Sequence, residues 1–178
     1  MWPWGHAAVG YLLWSAFVNR ADDRPPTGPE VAFVGLGTQF PDLVDKPLAW
    51  TFGILPSGRS LAHSLLTAAL VISIVYLVTR RREEPVAVAF GIGYVSHSVA
   101  DSFSPLLTGE YDKLTYLLWP VLPSPVYESE SLASNVDGLA LSGFVLVELL
   151  LVAFALVRWR FDGMPGIAEF VSRLRAVR

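Results

Sequence analysis

The stretch GYVSHSVADSFSP, residues 93–105, decides how this chain is read. It closes an apolar run of membrane-crossing character, yet it carries His97 and, four residues later, Asp101. Ionisable groups at such depth are costly unless paired. Either the two satisfy each other, or they hold a third group. At spacing i, i+4 they project from one helix face about one turn apart. Two such side chains bind one cation from a rigid backbone when neighbouring helices supply the remaining ligands.

The rest of the chain supports a membrane setting. Of its 178 residues, 53% are hydrophobic and only 16% charged, and the mean hydropathy is +0.47. Soluble domains carry about 25% charged residues. Residues 61–79, 85–103 and 139–157 are each about 19 residues long and nearly free of charge. At roughly 1.5 Å rise per residue each reaches close to 30 Å, the thickness of a bilayer's hydrocarbon core. The predicted fold class is therefore all-α: an integral membrane helical bundle of about five segments, the first two short, with a C-terminal interfacial amphipathic helix. There is no cysteine, which excludes disulfides and thiolate metal sites. The formal charge of −3 gives no support to a nucleic-acid partner. The opening MWPWGHAAVG lacks the basic region of a signal peptide, so the first apolar segment is expected to be retained.

Residues 6–18 and 31–40 are the short apolar segments, and they flank the helix-breaking turn NRADDRPPTGPE. They read as a hairpin that enters and leaves by one face. Residues 41–60 read as a linker and TRRREEP as a tight turn. The connection 104–137 holds an apolar patch, YLLWPVLP, expected to rest at the interface, with the tryptophans as membrane anchors. Residues 1–160 form the predicted transmembrane metal-site domain, and 161–178 a cytoplasmic basic amphipathic tail. If Arg80, Arg81 and Arg82 are cytoplasmic, ten basic residues fall inside and only Lys46, Arg59 and Lys113 outside. The positive-inside rule then places the N-terminus outside the cytoplasmic membrane and the C-terminus within.

In that topology all three histidines, His6, His63 and His97, meet at the outer face with Asp42, Asp45 and Asp101. A mixed His/Asp set without cysteine suits Zn²⁺, Mn²⁺ or Fe²⁺, as one or two ions. A metal would offset the desolvation of Asp42 and Asp101. The nearby Ser64, Ser96, Ser98 and Ser102 serve as supporting partners or pack helices. Asp42 and Asp45 also suit helix caps beside Pro41 and Pro47, and His97 with Asp101 a hydrogen-bonded pair locking helices together. Glu148, in mid-segment, faces the bundle as a satisfied contact or as part of a proton path.

These residues resemble the membrane-bound metal-dependent hydrolases, the YdjM-like group of inner-membrane hydrolases. The resemblance rests on His6, QFPDLVDKP, RSLAHSLL, GIGYVSHSVAD and LLWPVLP, in that order over the first two-thirds of the chain. Two positions depart from the family pattern: the second acid, Asp45, falls three residues after the first instead of two, and Gly58 stands where a histidine is common. The order is more distantly similar to that of zinc-dependent phospholipase C. That likeness implies Asp42, His63, His97 and Asp101 around a first ion, and His6 with Asp101 around a second. It implies a hydrolase of phosphoester or lipid substrates at the outer interface, with membrane lipids as partners. Asp45 is then the candidate general base, and Arg59 the cation that steadies developing negative charge. The competing readings are a metal- or proton-handling transport protein, and a structural membrane protein whose metal staples helices.

Overall fold

The computed structural model describes residues 1–82, 85–125 and 143–176, and among them there is helix but no strand. The helices are α1 (Pro3–Ala21), α2 (Gly28–Lys46), α3 (Leu65–Thr79), α4 (Val86–Thr108), α5 (Gly143–Phe161) and α6 (Ile167–Ala176). A π-helical turn, Pro47–Thr51, extends α2, and a 3₁₀ segment, Tyr111–Leu118, follows α4.

The two short segments form a helical hairpin, but as full helices of 19 residues each, which corrects their predicted lengths. Pro3 opens α1 at a position where its missing N–H costs nothing. Glu30 starts α2 by accepting the Thr27 N–H at 2.9 Å, with the Arg24 guanidinium on both carboxylate oxygens. The predicted break at Pro41 does not occur, and α2 runs through it to Lys46. Tertiary bonds hold the helix on either side: the Thr38 carbonyl accepts from His97, and Asp45 accepts from residues 60–63. Local breaker rules weigh only the lost N–H, and here distant partners outweigh it.

α1, α2 and α4 meet through glycine. A Cβ on Gly93 would run into the Val34 carbonyl oxygen, one on Gly37 into the Phe90 carbonyl oxygen, and one on Gly10 into the Thr38 side chain. The backbones of α2 and α4 therefore touch, as small-residue helix interfaces allow. A carbonyl cannot swing aside as a side chain can, so Gly93→Ala is expected to cost about 3 kcal/mol, the upper range for overpacking. Equilibrium unfolding in detergent measures this, and an unchanged midpoint would refute the close approach. Trp14, fully buried with Val18, Val34 and Ala89, belongs to the core beside this contact and is not the membrane anchor expected of it.

The bundle has two chemically distinct ends. His6, Asp42, Asp45, His63, His97 and Asp101 lie at one. At the other lie the C-terminal ends of α1, α3 and α5 with Arg20, Arg80, Arg158 and Arg160. There Tyr11 and Ser15 donate to Asp162 at 2.7 and 2.6 Å, and Arg158 pairs with it at 2.8 Å, tying α1 to α5. Burial alone would raise the Asp162 carboxyl, but these hydrogen bonds and the Arg158 charge outweigh it and hold it below the usual range. Glu148 is buried and accepts the Trp2 N–H, so it satisfies an otherwise orphaned donor before α1.

No described helix is long and apolar enough to cross a membrane, which departs from the expectation of three full spans. The causes are local. Ser64 caps α3 by accepting the Leu66 N–H, so the helix keeps only 15 residues. The second half of α4 contains His97, Asp101 and four serines, and α5 carries Glu148, Arg158 and Arg160. The predicted interfacial patch is also revised, because Tyr116 is fully buried beneath it. Residues 126–142 of the predicted connection and last segment lie outside the described residues, as do 83–84 of the turn and 177–178 of the tail.

Candidate metal centre

Each side chain of the centre is aimed by a separate device. Asp45 is the pivot for His63. Its carboxylate has no exposure at all and accepts the backbone N–H groups of Ser60 (2.9 Å), Ala62 (2.8 Å) and His63 (3.2 Å). The fourth partner is His63 Nδ1, at 2.8 Å. A carboxylate only accepts, so Nδ1 carries the hydrogen and Nε2 presents its lone pair. Tyr94 fixes the same loop by donating to the Ala62 carbonyl at 2.5 Å. Tyr116 stands edge-on to the His63 ring, its hydroxyl 3.0 Å from that of Ser102.

His97 is set in the same manner. Its Nδ1 lies 2.7 Å from the Thr38 carbonyl, another pure acceptor, so its Nε2 also presents a lone pair. The two Nε2 atoms stand 3.1 Å apart. Asp42 Oδ1 lies 3.5 Å from His63 Nε2 and 3.8 Å from His97 Nε2. Asp101 Oδ2 lies 3.8 and 3.9 Å from the same two atoms. Four electron-rich atoms thus converge with no hydrogen of their own to share. Metal–ligand bonds of about 2.1 Å set neighbouring donors about 3.4 Å apart, close to the five spacings between these imidazoles and carboxylates.

His6 completes the group. It stacks on His97 with ring centroids 3.8 Å apart, and its Nε2 is 3.3 Å from Asp101 Oδ1. Both of its ring nitrogens are buried without a hydrogen-bond partner, as is Asp42 Oδ1. Orphaned buried polar atoms of this kind are rare and call for an explanation. A divalent cation supplies one, and the donor set, imidazole with carboxylate, fits such an ion. His6, Asp42 and His97 form one group able to hold an ion, and His63, His97 and Asp101 another.

Cations already attend the open side. Arg59 Nε donates to Asp101 Oδ2 at 2.7 Å, and the Met1 amine to Oδ1 at 3.0 Å. Lys46 donates to Asp42 Oδ2 at 2.5 Å, leaving Oδ1 turned toward the histidines. The Arg59 and Lys46 side chains are 31% and 29% exposed, against 0% for His63 and His97, so they mark the mouth.

The structure therefore brings His6, Asp42, His63, His97 and Asp101 together, with Arg59 beside them. It does not place Asp45 where a base would act: with no exposure and its oxygens occupied by the loop, Asp45 orients His63. Gly58 has a packing reason, since a Cβ there would press on the Trp50 indole at 3.0 Å. Sequence reasoning missed Tyr94, Tyr116, Lys46 and the Thr38 carbonyl. Only Tyr94 left a trace, three residues ahead of His97 on one helix face.

No curated protein and no solved structure matches the chain. The model of the YdjM inner membrane protein family does, over residues 1–164, which takes in every residue of the centre; the chain belongs to that family.

Proposed function

We propose that the protein is a membrane-embedded hydrolase that depends on a divalent metal, probed first as Zn²⁺, and acts on phosphoester or lipid substrates. The observation that carries this reading is the convergence of four aimed acceptors, His63 Nε2, His97 Nε2, Asp42 Oδ1 and an Asp101 oxygen, with no donor among them. When bound, the metal supplies Lewis-acid activation of water and of a phosphoryl or carbonyl oxygen. The chain's own residues do the rest. Asp45 and the Thr38 carbonyl hold the two imidazoles in the tautomers that leave Nε2 free. Lys46 turns Asp42 inward. Arg59, at the mouth, binds the substrate's anionic group and steadies charge that develops on it. His6, unpartnered against Asp101, offers a place for a second ion.

Membrane residence is supported by the family and by the placement of polarity. Of the groups that interrupt α4 and α5, His97, Asp101 and Glu148 are buried within the bundle, while Arg158 and Arg160 sit in the last turn of α5 at the arginine end. The outward faces carry Leu70, Ile74, Val99, Leu150 and Phe154, all exposed. Lipid meets the outer surface and not the average composition of a helix, and a helix as short as α3 is accommodated by local thinning. The arginine-based orientation, with the donor end outside, belongs to this proposal.

The test is turnover of phosphomonoester, phosphodiester and phospholipid substrates by protein reconstituted in vesicles with added Zn²⁺ or Mn²⁺, with and without chelator. Arg59→Ala is expected to lower kcat by about 100-fold, the scale of losing one charge-stabilising donor, while metal content stays at the wild-type value. Absence of any chelator-sensitive hydrolysis across these substrates in metal-replete protein would sink the hydrolase reading.

A further inference from the structure

A cavity of about 1700 Å³ runs along the bundle between α1, α3, α4 and α5, on the side of α4 turned away from the donor atoms. Its wall on α4 extends from Ala87 to Phe103, about 24 Å along the helix axis. That exceeds the ~15 Å of one hydrocarbon leaflet. The lining is almost wholly apolar, and small residues such as Ala16, Gly91 and Ala100 help to form it.

Its few polar groups are disposed in a definite way. Ser73 and Ser96 donate to carbonyls of their own helices, at 2.7 and 2.8 Å, and offer nothing unsatisfied. Glu148, toward the donor end, accepts the Trp2 N–H. Met1 also lines that donor end, its amine already paired with Asp101 at 3.0 Å, whereas Arg20 lies at the opposite end, exposed and without an ion pair or hydrogen bond among the described residues. Tyr76 and Leu77 of α3 line the same mouth. Arg80 follows them by four and three residues, which puts it on their face of the helix. The cavity therefore has a cationic mouth, an apolar length and a far end whose charged groups already have partners.

We propose that this cavity is a binding site for one acyl chain of an anionic phospholipid, with the phosphate at Arg20 and Arg80 and the chain running toward Glu148. Charge sets the polarity of the ligand: an anionic head is attracted at the arginine mouth, whereas the charges of the far end are already engaged with one another and with the backbone. A groove this long and this apolar matches a hydrocarbon chain better than a peptide, whose backbone groups would find no partners on the lining. The inference rests on the membrane residence proposed above and is independent of hydrolysis.

The experiment uses full-length protein in detergent, exposed to phosphatidylglycerol or phosphatidylcholine of identical chains, with bound lipid counted by native mass spectrometry. Wild type is expected to retain phosphatidylglycerol in preference. Arg20→Gln with Arg80→Gln lowers that preference about 30-fold, the scale of two juxtamembrane charges. Ala16→Trp, at an exposed wall position, blocks both lipids, whereas Leu150→Trp, on the outer face of α5 beyond the cavity, leaves binding unchanged. Metal content in each variant reports separately on the donor centre. Equal retention of the two lipids by wild type, unaltered binding in Ala16→Trp, or dimer masses in place of lipid adducts would each overturn the proposal.

Discussion

Replacing His97 and Asp101 together by alanine is expected to abolish metal retention, from near one or two ions per chain in protein purified with Zn²⁺ or Mn²⁺ to background. The substitution reaches both groups of donors: His97 is common to them, and Asp101 belongs to the one with His63, 3.8 Å away, and also lies 3.3 Å from His6. Loss of a single supporting partner weakens metal binding by about 10- to 100-fold. Loss of two direct donors from a four-atom set is expected to exceed that range. The same double variant removes the Asp101 partner of Arg59 and of the Met1 amine, but both cations stand at the partly exposed mouth, so its fold in metal-free buffer is expected to survive. Elemental analysis beside circular dichroism separates the two effects. A well-folded wild type that takes up no metal, even after loading, would return His97 and Asp101 to helix packing.

The second large effect concerns Asp45. Asp45→Ala removes the acceptor of three backbone N–H groups and of the His63 ring, all buried. Stranding such donors at a charged partner's site is expected to cost about 4 kcal/mol, measured by unfolding in detergent. Asp45→Asn discriminates more finely. Its amide oxygen takes the place of Oδ2, which serves three of the four donors, so the His63 tautomer is kept while the imidazole loses the charge of its carboxylate and the Ala62 N–H loses its acceptor. Metal affinity is then expected to fall about 10- to 100-fold in a folded protein. If Asp45 acted as the general base, Asp45→Asn would instead lose turnover at wild-type metal affinity.

Part of this outcome is legible along the chain. The i, i+4 spacing of His97 and Asp101 is a local property, because a helix alone places both on one face. The gathering of His6, Asp42 and His63 at the same end follows from chain direction once the apolar segments alternate, and the arginines mark the opposite end independently. Residue types and order also carry the family likeness. Those signals need no knowledge of packing.

The position of Asp45 was not legible, because nothing local separates an acid that faces the histidines from one three residues on that faces a loop. Asp42 and Asp45 lie on neighbouring faces of α2, and the choice is made by residues 60–63 arriving with their N–H groups. Pro41 misled for a related reason: a breaker rule knows the lost hydrogen bond but not the bonds at Thr38 and Asp45 that hold the helix on either side. Tyr116 lay in a patch whose composition suits an interface, and only the return of the chain beneath α3 and α4 seats it against His63.

The sequence by itself determined the all-α class, the separation of a histidine–carboxylate end from an arginine end, and the set of histidines and carboxylates from which the centre is drawn, since helix periodicity and charge order are properties of neighbours. The tertiary structure alone decided which carboxylates face the histidines, which nitrogen of each imidazole is free, and how near the helices stand. Those depend on contacts between residues far apart in the chain, above all the glycine-to-carbonyl approach of α2 and α4 at Gly37 and Gly93.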